Sequence, residues 1–88
     1  MVKIIIFFDG SKIYYLNNLI HRDNQPAMTL KEDFRTEIYY VKKGDYHRLD
    51  GPAVIRTGMS PLWYYNNVHI RCNSQEEFER LIKLKLLW

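Results

Sequence analysis

Two similar loops hold the residues of this chain whose types are suited to chemistry: residues 21–27 read HRDNQPA and residues 47–53 read HRLDGPA. Each loop places a histidine two or three residues before an aspartate. A pair of histidines with a carboxylate is enough to bind a transition metal or to transfer a proton. A sequence repeat already explains why the loops are alike. We therefore predict no catalytic residue, no bound metal and no cofactor.

The second loop has the composition of a structural turn. Asp50 is expected to accept backbone hydrogen bonds and Gly51 to adopt a positive φ, while Pro52 fixes the entry into the next strand. His47 is expected to hydrogen-bond the loop, and Arg48 to pair with Asp50 or with a carboxylate across the unit. The chain has no Ser-His-Asp set, no paired-carboxylate cleft and no glycine-rich phosphate loop. We therefore predict that the protein is not an enzyme.

The loops belong to a pattern that the chain repeats nearly three times. The aromatic segments IYYLNN (13–18), IYYVKK (38–43) and LWYYNN (62–67) are about 25 residues apart. Repeats of this length indicate stacked supersecondary units, none of which buries its apolar face alone. The sequence predicts one domain over residues 1–88, with repeat units over about 1–26, 27–52 and 53–72.

Turn residues and β-branched or aromatic runs divide the units into strands. Residues 4–8 are predicted to pair with residues 12–16 across the Asp9-Gly10 turn, and residues 31–33 to form a charged connection. Alternation along residues 35–41 indicates a further strand. Two-residue turns are predicted at Asn17-Asn18, Lys43-Gly44 and Asn66-Asn67.

A capping box with Ser74 at its N-cap predicts one C-terminal helix over about 74–87. Its apolar stripe, which includes Phe78 and Trp88, packs on the sheet as a cap or forms a dimer seam. The predicted fold class is α+β, mostly β: a twisted antiparallel meander of about six strands, built from β-hairpin repeats, with this helix at the end.

Residues 47–67 (HRLDGPAVIRTGMSPLWYYNN) resemble tandem repeats of viral and bacteriophage proteins. Those repeats combine H-R-x-D-G-P-A with W-Y-x-N-G, and they are distant relatives of MORN-type β-hairpin repeats. Residues 21–27 match in part, because Asn24 and Gln25 replace the usual Asp and Gly. The resemblance implies a hairpin-repeat fold and a viral accessory role, without any shared chemistry. Because many small phage accessory proteins block host defences, an anti-CRISPR-like inhibitor in the host cytoplasm is expected.

The bulk composition is compatible with such a role. Thirteen Lys and Arg oppose ten Asp and Glu, so the net charge is +3 and the cations are scattered. This balance permits an acidic partner but does not require one. The single cysteine, Cys72, excludes an internal disulfide and favours a reducing compartment. No apolar run is long enough for a membrane span, so no membrane partner is expected.

Aromatic side chains provide the predicted binding surface. Tyr14, Tyr39 and Trp63 are expected to pack the sheet, whereas Tyr15, Tyr40 and Tyr64 form a stripe on the face that the helix leaves open. The predicted binding residues are Tyr15, Tyr40, Tyr64, Lys42, Lys43 and Arg56. The predicted partner is a host protein or protein complex. The alternatives are single-stranded nucleic acid, stacked on the tyrosines, and a structural repeat protein that forms homodimers or larger oligomers.

Overall fold

Antiparallel hairpins make up most of the regular structure in the computed structural model, which describes residues 1–86. The strands are β1 (Val2–Ile6), β2 (Lys12–Leu16), β3 (Leu19–Ile20), β4 (Met28–Glu32), β5 (Arg35–Tyr39), β6 (Val41–Lys42), β7 (Asp45–Tyr46), β8 (Val54–Arg56), β9 (Trp63–Tyr65) and β10 (Val68–Ile70). The helix α1 covers Gln75–Leu86. The mostly β fold with a six-stranded antiparallel sheet and one C-terminal helix is confirmed within these residues.

The main sheet is a thin plate. Its strand order is β1-β2-β4-β5-β8, with β3 added beside β2, and every neighbouring pair is antiparallel. The short hairpins β6-β7 and β9-β10 continue the meander. The molecule measures 44 × 33 × 15 Å. The shortest dimension has room for little more than one sheet and a helix, so the two faces of the sheet have different surroundings.

Three two-residue turns close the short hairpins of the repeat units. Both residues of each turn have positive φ: Asn17 (50°) and Asn18 (69°), Lys43 (51°) and Gly44 (85°), Asn66 (46°) and Asn67 (68°). This is the geometry of a type I′ turn, whose twist matches the twist of the strands it joins. Asn and Gly adopt it at low cost. The predicted turn positions are confirmed.

Three predicted strand boundaries are wrong. The strand predicted over residues 35–41 is divided, because β5 ends at Tyr39 and Val41 begins β6. The first strand is Val2–Ile6 rather than residues 4–8. The Phe7 N–H donates to the Ser11 carbonyl, so the hairpin loop already begins at Phe7. The charged segment at residues 31–33 is not a connection. Lys31 and Glu32 pair with β5, and the turn falls on Asp33, whose φ is 32°.

The repeat register differs by one residue from the register that the aromatic segments predict. The Tyr14 N–H donates to the Ala27 carbonyl at 2.8 Å, and the Tyr40 N–H donates to the Ala53 carbonyl at 2.7 Å. Tyr40, and not Tyr39, is therefore the equivalent of Tyr14. The equivalent positions are 26 residues apart, as the two loops are, although the matching IYY letters are 25 apart.

The helix packs on the last hairpin. Trp63 and Ile70 of β9-β10 form a buried cluster with Phe78 and Ile82 of α1, and Tyr65, Cys72 and Leu81 pack against it. The Ser74 Oγ accepts the Glu77 N–H at 3.1 Å, which is the N-cap bond that the sequence predicts. The predicted helical residue 87 and the predicted apolar contact of Trp88 lie outside the described residues.

Replacing Phe78 by Ala should lower the free energy of unfolding by about 3–5 kcal/mol, because the ring is only 1% exposed and its removal leaves a cavity. Urea unfolding followed by fluorescence measures the change. Leu84→Ala on the same helix is the control; Leu84 is 50% exposed, so the expected loss is about 0.5 kcal/mol. Equal losses in the two variants would contradict the packing of α1 on β9-β10.

Candidate functional site: two faces of one sheet

The two faces of the sheet carry different aromatic groups. Residues that pair across strands project to the same side of a sheet, and neighbours along a strand project to opposite sides. We call one side the tyrosine face, defined by Tyr15, Tyr39, Tyr46, Tyr64 and His69. We call the other side the arginine face, defined by Tyr14, Tyr40, Trp63, Arg22 and Arg48. The helix α1 lies on the arginine face, because its Phe78 packs on Trp63.

Tyr14, Tyr40 and Trp63 lie at equivalent positions of the three units on the arginine face, and other side chains cover each of these rings. The Arg22 guanidinium lies over the Tyr14 ring at 4.0 Å from its centroid, and the Arg48 guanidinium lies over the Tyr40 ring at 3.8 Å. Contacts of this kind stabilise a structure by about 0.5–1 kcal/mol where they are exposed. Trp63, at the third equivalent position, is covered by the helix instead.

Each histidine of the loops joins its own unit to the next one. The His21 Nδ1 accepts the Lys43 N–H at 2.9 Å, and the His47 Nδ1 accepts the Asn66 N–H at 2.9 Å. Both donors belong to the type I′ turn of the following unit. Because Nδ1 is an acceptor in both rings, each neutral histidine has to carry its proton on Nε2. The same Nδ1 lone pairs are not available to a metal.

The arginines of the loops hold the loop backbone as well as the ring. The Arg48 Nε donates to Asp50 at 3.0 Å, and its Nη1 donates to the Pro52 carbonyl at 3.1 Å. The predicted pairing of Arg48 with Asp50 and the predicted loop hydrogen bond of His47 are confirmed. Asp50 accepts this side-chain donor in place of the backbone hydrogens that the sequence predicts.

The reason for glycine at position 51 is different from the predicted one. Gly51 does not have a positive φ; the glycines that do are Gly10, Gly44 and Gly58. A Cβ on Gly51 would instead lie 2.7 Å from the Arg48 Cζ. The guanidinium thus packs directly against the Gly51 backbone, between Asp50 and the Tyr40 ring, and a side chain at position 51 would have to displace it.

Replacing Gly51 by Ala should displace Arg48 and lower the free energy of unfolding by about 1–3 kcal/mol, through loss of its charge-assisted bonds. Thermal or urea unfolding measures this. Gln25→Ala, at the equivalent position of the first loop, is the control, and we expect a change of about 0.5 kcal/mol or less there. An unchanged stability of the Gly51→Ala protein would show that Arg48 is not held in this position.

Aromatic rings form a continuous ladder across the tyrosine face. Tyr39 and Tyr46 stack with their centroids 5.8 Å apart, Tyr46 meets Tyr64 edge-on at 5.1 Å, and Tyr64 lies 5.3 Å from the His69 ring. The four side chains come from three hairpins. Each tyrosine is half-buried and His69 is exposed. No part of α1 covers this ladder, since the helix packs on the opposite side of β9.

One end of the ladder has a fixed polar arrangement. The Tyr39 hydroxyl donates to the Glu37 Oε1 at 2.6 Å, and Glu37 is directly opposite Arg56 on β8. Burial, followed by the hydrogen bond to Glu37 and its negative charge, raises the pKa of Tyr39 to about 12. The Arg56 Nε is buried without a hydrogen-bond partner among the described residues.

We expect Tyr39 to ionise at a higher pH than an ordinary tyrosine, whose pKa is 10.0. The stability that this shift contributes is complete below pH 10, the value of the unfolded chain, and is lost as the pH rises through about 12. Tyrosinate absorbance measured against pH in the wild type and in Tyr39→Phe isolates this group. A Tyr39 transition at its ordinary pKa would contradict the bond to Glu37.

The structure divides the six predicted binding residues between the two faces. Tyr15, Tyr64 and Arg56 lie on the tyrosine face, Tyr40 and Lys42 lie on the arginine face, and Lys43 lies in an exposed turn. The assignment of Tyr40 to the open stripe is wrong because Arg48 covers it. Tyr39, which was expected to pack the sheet, takes that place.

The sequence prediction also missed two members of the ladder, Tyr46 and His69. The first unit has Ile20 at the position of Tyr46, so no repeated residue type marks this position. The signal that does exist is the pairing across the short turns: Tyr46 faces Val41, and His69 faces Tyr64.

Within residues 1–86, no group of three His, Cys, Asp or Glu is arranged to hold a metal ion. The helix α1, which is the one helix within these residues, is not long and apolar enough to cross a membrane. No family model matches the chain, and neither a curated protein nor a solved structure is significantly similar to it. The resemblance to viral MORN-like repeats therefore stays a prediction.

Proposed function

We propose that this protein acts by binding another protein through its tyrosine face and has no catalytic activity of its own. The observation that carries the proposal is the aromatic ladder Tyr39–Tyr46–Tyr64–His69, which spans three hairpins on the face that the helix leaves uncovered. Tyrosine is enriched among the residues that dominate the energetics of protein interfaces. Aromatic rings present a large contact area with few rotatable bonds, so ordering them on binding costs little entropy.

The shape of the sheet supports the same proposal. A plate 15 Å thick offers a broad and nearly flat surface, which suits a protein partner better than a small ligand in a cavity. The short turns at the repeat hairpins hold the rings at fixed spacing. The ladder is therefore already ordered before a partner arrives, which reduces the cost of association.

Charge placement favours a protein over single-stranded nucleic acid. A nucleic-acid platform needs cations beside its stacking rings. Three cations, Lys12, Lys42 and Arg48, project instead from the arginine face. On the tyrosine face, Arg56 is opposite the carboxylate of Glu37. The ladder thus has an aromatic surface that is close to neutral at this end.

The biological setting that we propose follows from the resemblance of residues 47–67 to viral and bacteriophage repeats. In this proposal the partner is a host protein or protein complex in the host cytoplasm, and binding inhibits a defence system in the manner of an anti-CRISPR protein. In this proposal the protein inhibits its partner by covering part of the partner's surface, since an aromatic sheet face supplies contact area rather than a reactive group.

Affinity capture from a bacterial lysate, with and without nuclease, tests the nature of the partner. We expect a protein that is retained after nuclease treatment and that binds a purified sample of this chain directly. Recovery of nucleic acid alone, with loss of all bound protein after nuclease, would contradict the proposal and support the nucleic-acid alternative.

The adjacent residues Tyr39 and Tyr40 test the binding face. Tyr39→Ala and Tyr64→Ala should each weaken binding by at least about tenfold, because both remove rings from the ladder. Tyr40→Ala is the matched control: it removes the ring under Arg48, so it should lower the melting temperature but leave the affinity of the folded protein unchanged. Loss of affinity in Tyr40→Ala only would place the interface on the arginine face.

A further inference from the structure

A small cationic cleft lies between the two histidine–arginine loops, on the arginine face. Its volume is about 140 Å³. It is lined by Arg22, Asp23, Asn24, Tyr40, Lys42, His47, Arg48 and Leu49. It is separate from the aromatic ladder, which is on the other side of the sheet. Three of its lining side chains are permanently positive, and one is a carboxylate.

The two loops differ in which of their side-chain donors has a carboxylate partner. In the second loop the carboxylate of Asp50 pairs with Arg48 at 3.0 Å. The equivalent residue of the first loop is Asn24, and Arg22 has no carboxylate within 4.0 Å among the described residues. Arg22 therefore has no carboxylate partner, unlike its equivalent Arg48; its Nη1 donates to the Pro26 carbonyl at 3.4 Å, and its other N–H groups have no partner among the described residues.

The histidines show the opposite difference. The His21 Nε2 lies 3.2 Å from Asp23. The equivalent of Asp23 in the second loop is Leu49, so the His47 Nε2 has no carboxylate and no hydrogen-bond partner among residues 1–86. Each loop thus lacks one carboxylate that the other loop has. The two donors left over, Arg22 and the His47 ring, line the same cleft.

Lys42 adds a third donor to this cleft. It follows Val41 in β6 and has no carboxylate within 4.0 Å in the described part of the chain. Burial and the positive charge of Lys42 lower the pKa of His47, against the smaller opposing effect of Asp45, the cross-strand neighbour of Lys42. His47 is thus neutral at pH 7, and with Nδ1 occupied by Asn66 it presents an Nε2–H as donor.

We propose that this cleft binds a phosphate group, held by Arg22, Lys42 and the His47 Nε2–H. The donors come from three separate segments of the chain: the first loop, the strand β6 and the second loop. A tetrahedral oxyanion presents its acceptor oxygens in different directions and so suits donors that converge from three segments, whereas the two oxygens of a carboxylate accept in one plane. The one lining carboxylate, Asp23, has its Oδ1 3.2 Å from the His21 Nε2.

The test restores the missing carboxylates without removing a donor. Inorganic phosphate is titrated into the protein while the side-chain NMR signals of Arg22 and His47 are followed. We expect saturable binding. Asn24→Asp gives Arg22 the partner that Arg48 already has, and Leu49→Asp gives His47 the partner that His21 already has. Each change should weaken phosphate binding by about tenfold.

Phe34→Asp is the matched control, because Phe34 is 95% exposed in a distant turn and the change in net charge is the same. Its phosphate affinity should equal that of the wild type. An equal loss in Phe34→Asp would overturn the proposal, since the ion would then sense net charge only. Absence of saturation, or acetate binding as tightly as phosphate, would also overturn it.

A second titration with O-phosphoserine distinguishes the source of the phosphate. Tighter binding of free phosphate than of O-phosphoserine would identify a free ion as the ligand. Tighter binding of O-phosphoserine would identify a phosphate monoester. A melting-temperature measurement on each variant confirms that the loops stay folded, and the two carboxylate-restoring variants act on different loops, so failure of one to fold leaves the other as the test.

Discussion

The hydrogen bond that each loop histidine accepts from the next turn is the constraint on which this fold depends. A single-layer sheet of 86 described residues has little interior: the one helix-packed core lies at its end, and few other side chains are fully buried. Stacked units of this kind are stable only as far as each unit holds its neighbour. His21 and His47 do this by accepting a backbone N–H from the turn of the following unit. Their place in the sequence, directly before an arginine, then fixes where that arginine projects.

The loop arginines cover aromatic rings on one face of the sheet only. Because Arg22 and Arg48 lie flat over Tyr14 and Tyr40, the arginine face has cations on its outside and rings beneath them. No loop arginine covers the rings of the other face: its tyrosines pack against one another, and its Arg56 lies opposite Glu37. One local motif therefore produces both surfaces: a charged side with an inter-loop cleft and an aromatic side that is open to a partner. The helix adds to this asymmetry, because Trp63 replaces the tyrosine–arginine pair in the last unit and is covered by Phe78.

Much of this fold was predictable from local signals, because those signals act over two to four residues. Asn17-Asn18 and Asn66-Asn67 are turn residues whatever surrounds them, and Ser74 with Glu77 begins a helix by its own hydrogen bond. The register between units was not predictable in this way. The letters IYY repeat at 25 residues and the loops at 26, and only the long-range bonds of His21 and His47 decide that the loops set the register.

That single-residue difference between the 25- and 26-residue spacings determines which tyrosines lie on the uncovered face. Alternation along residues 35–41 was predicted correctly, with Tyr39 and Tyr40 on opposite sides. Sequence periodicity does not show which face of the sheet the arginine of the following loop covers. Arg48 lies over Tyr40 with its guanidinium against the Gly51 backbone and bonded to the Pro52 carbonyl, and Arg22 covers Tyr14 although Gln25 stands at the position of Gly51. The identity of the open face is thus set by an arginine eight positions along the chain from Tyr40, through a contact that no pattern of apolar and polar residues records.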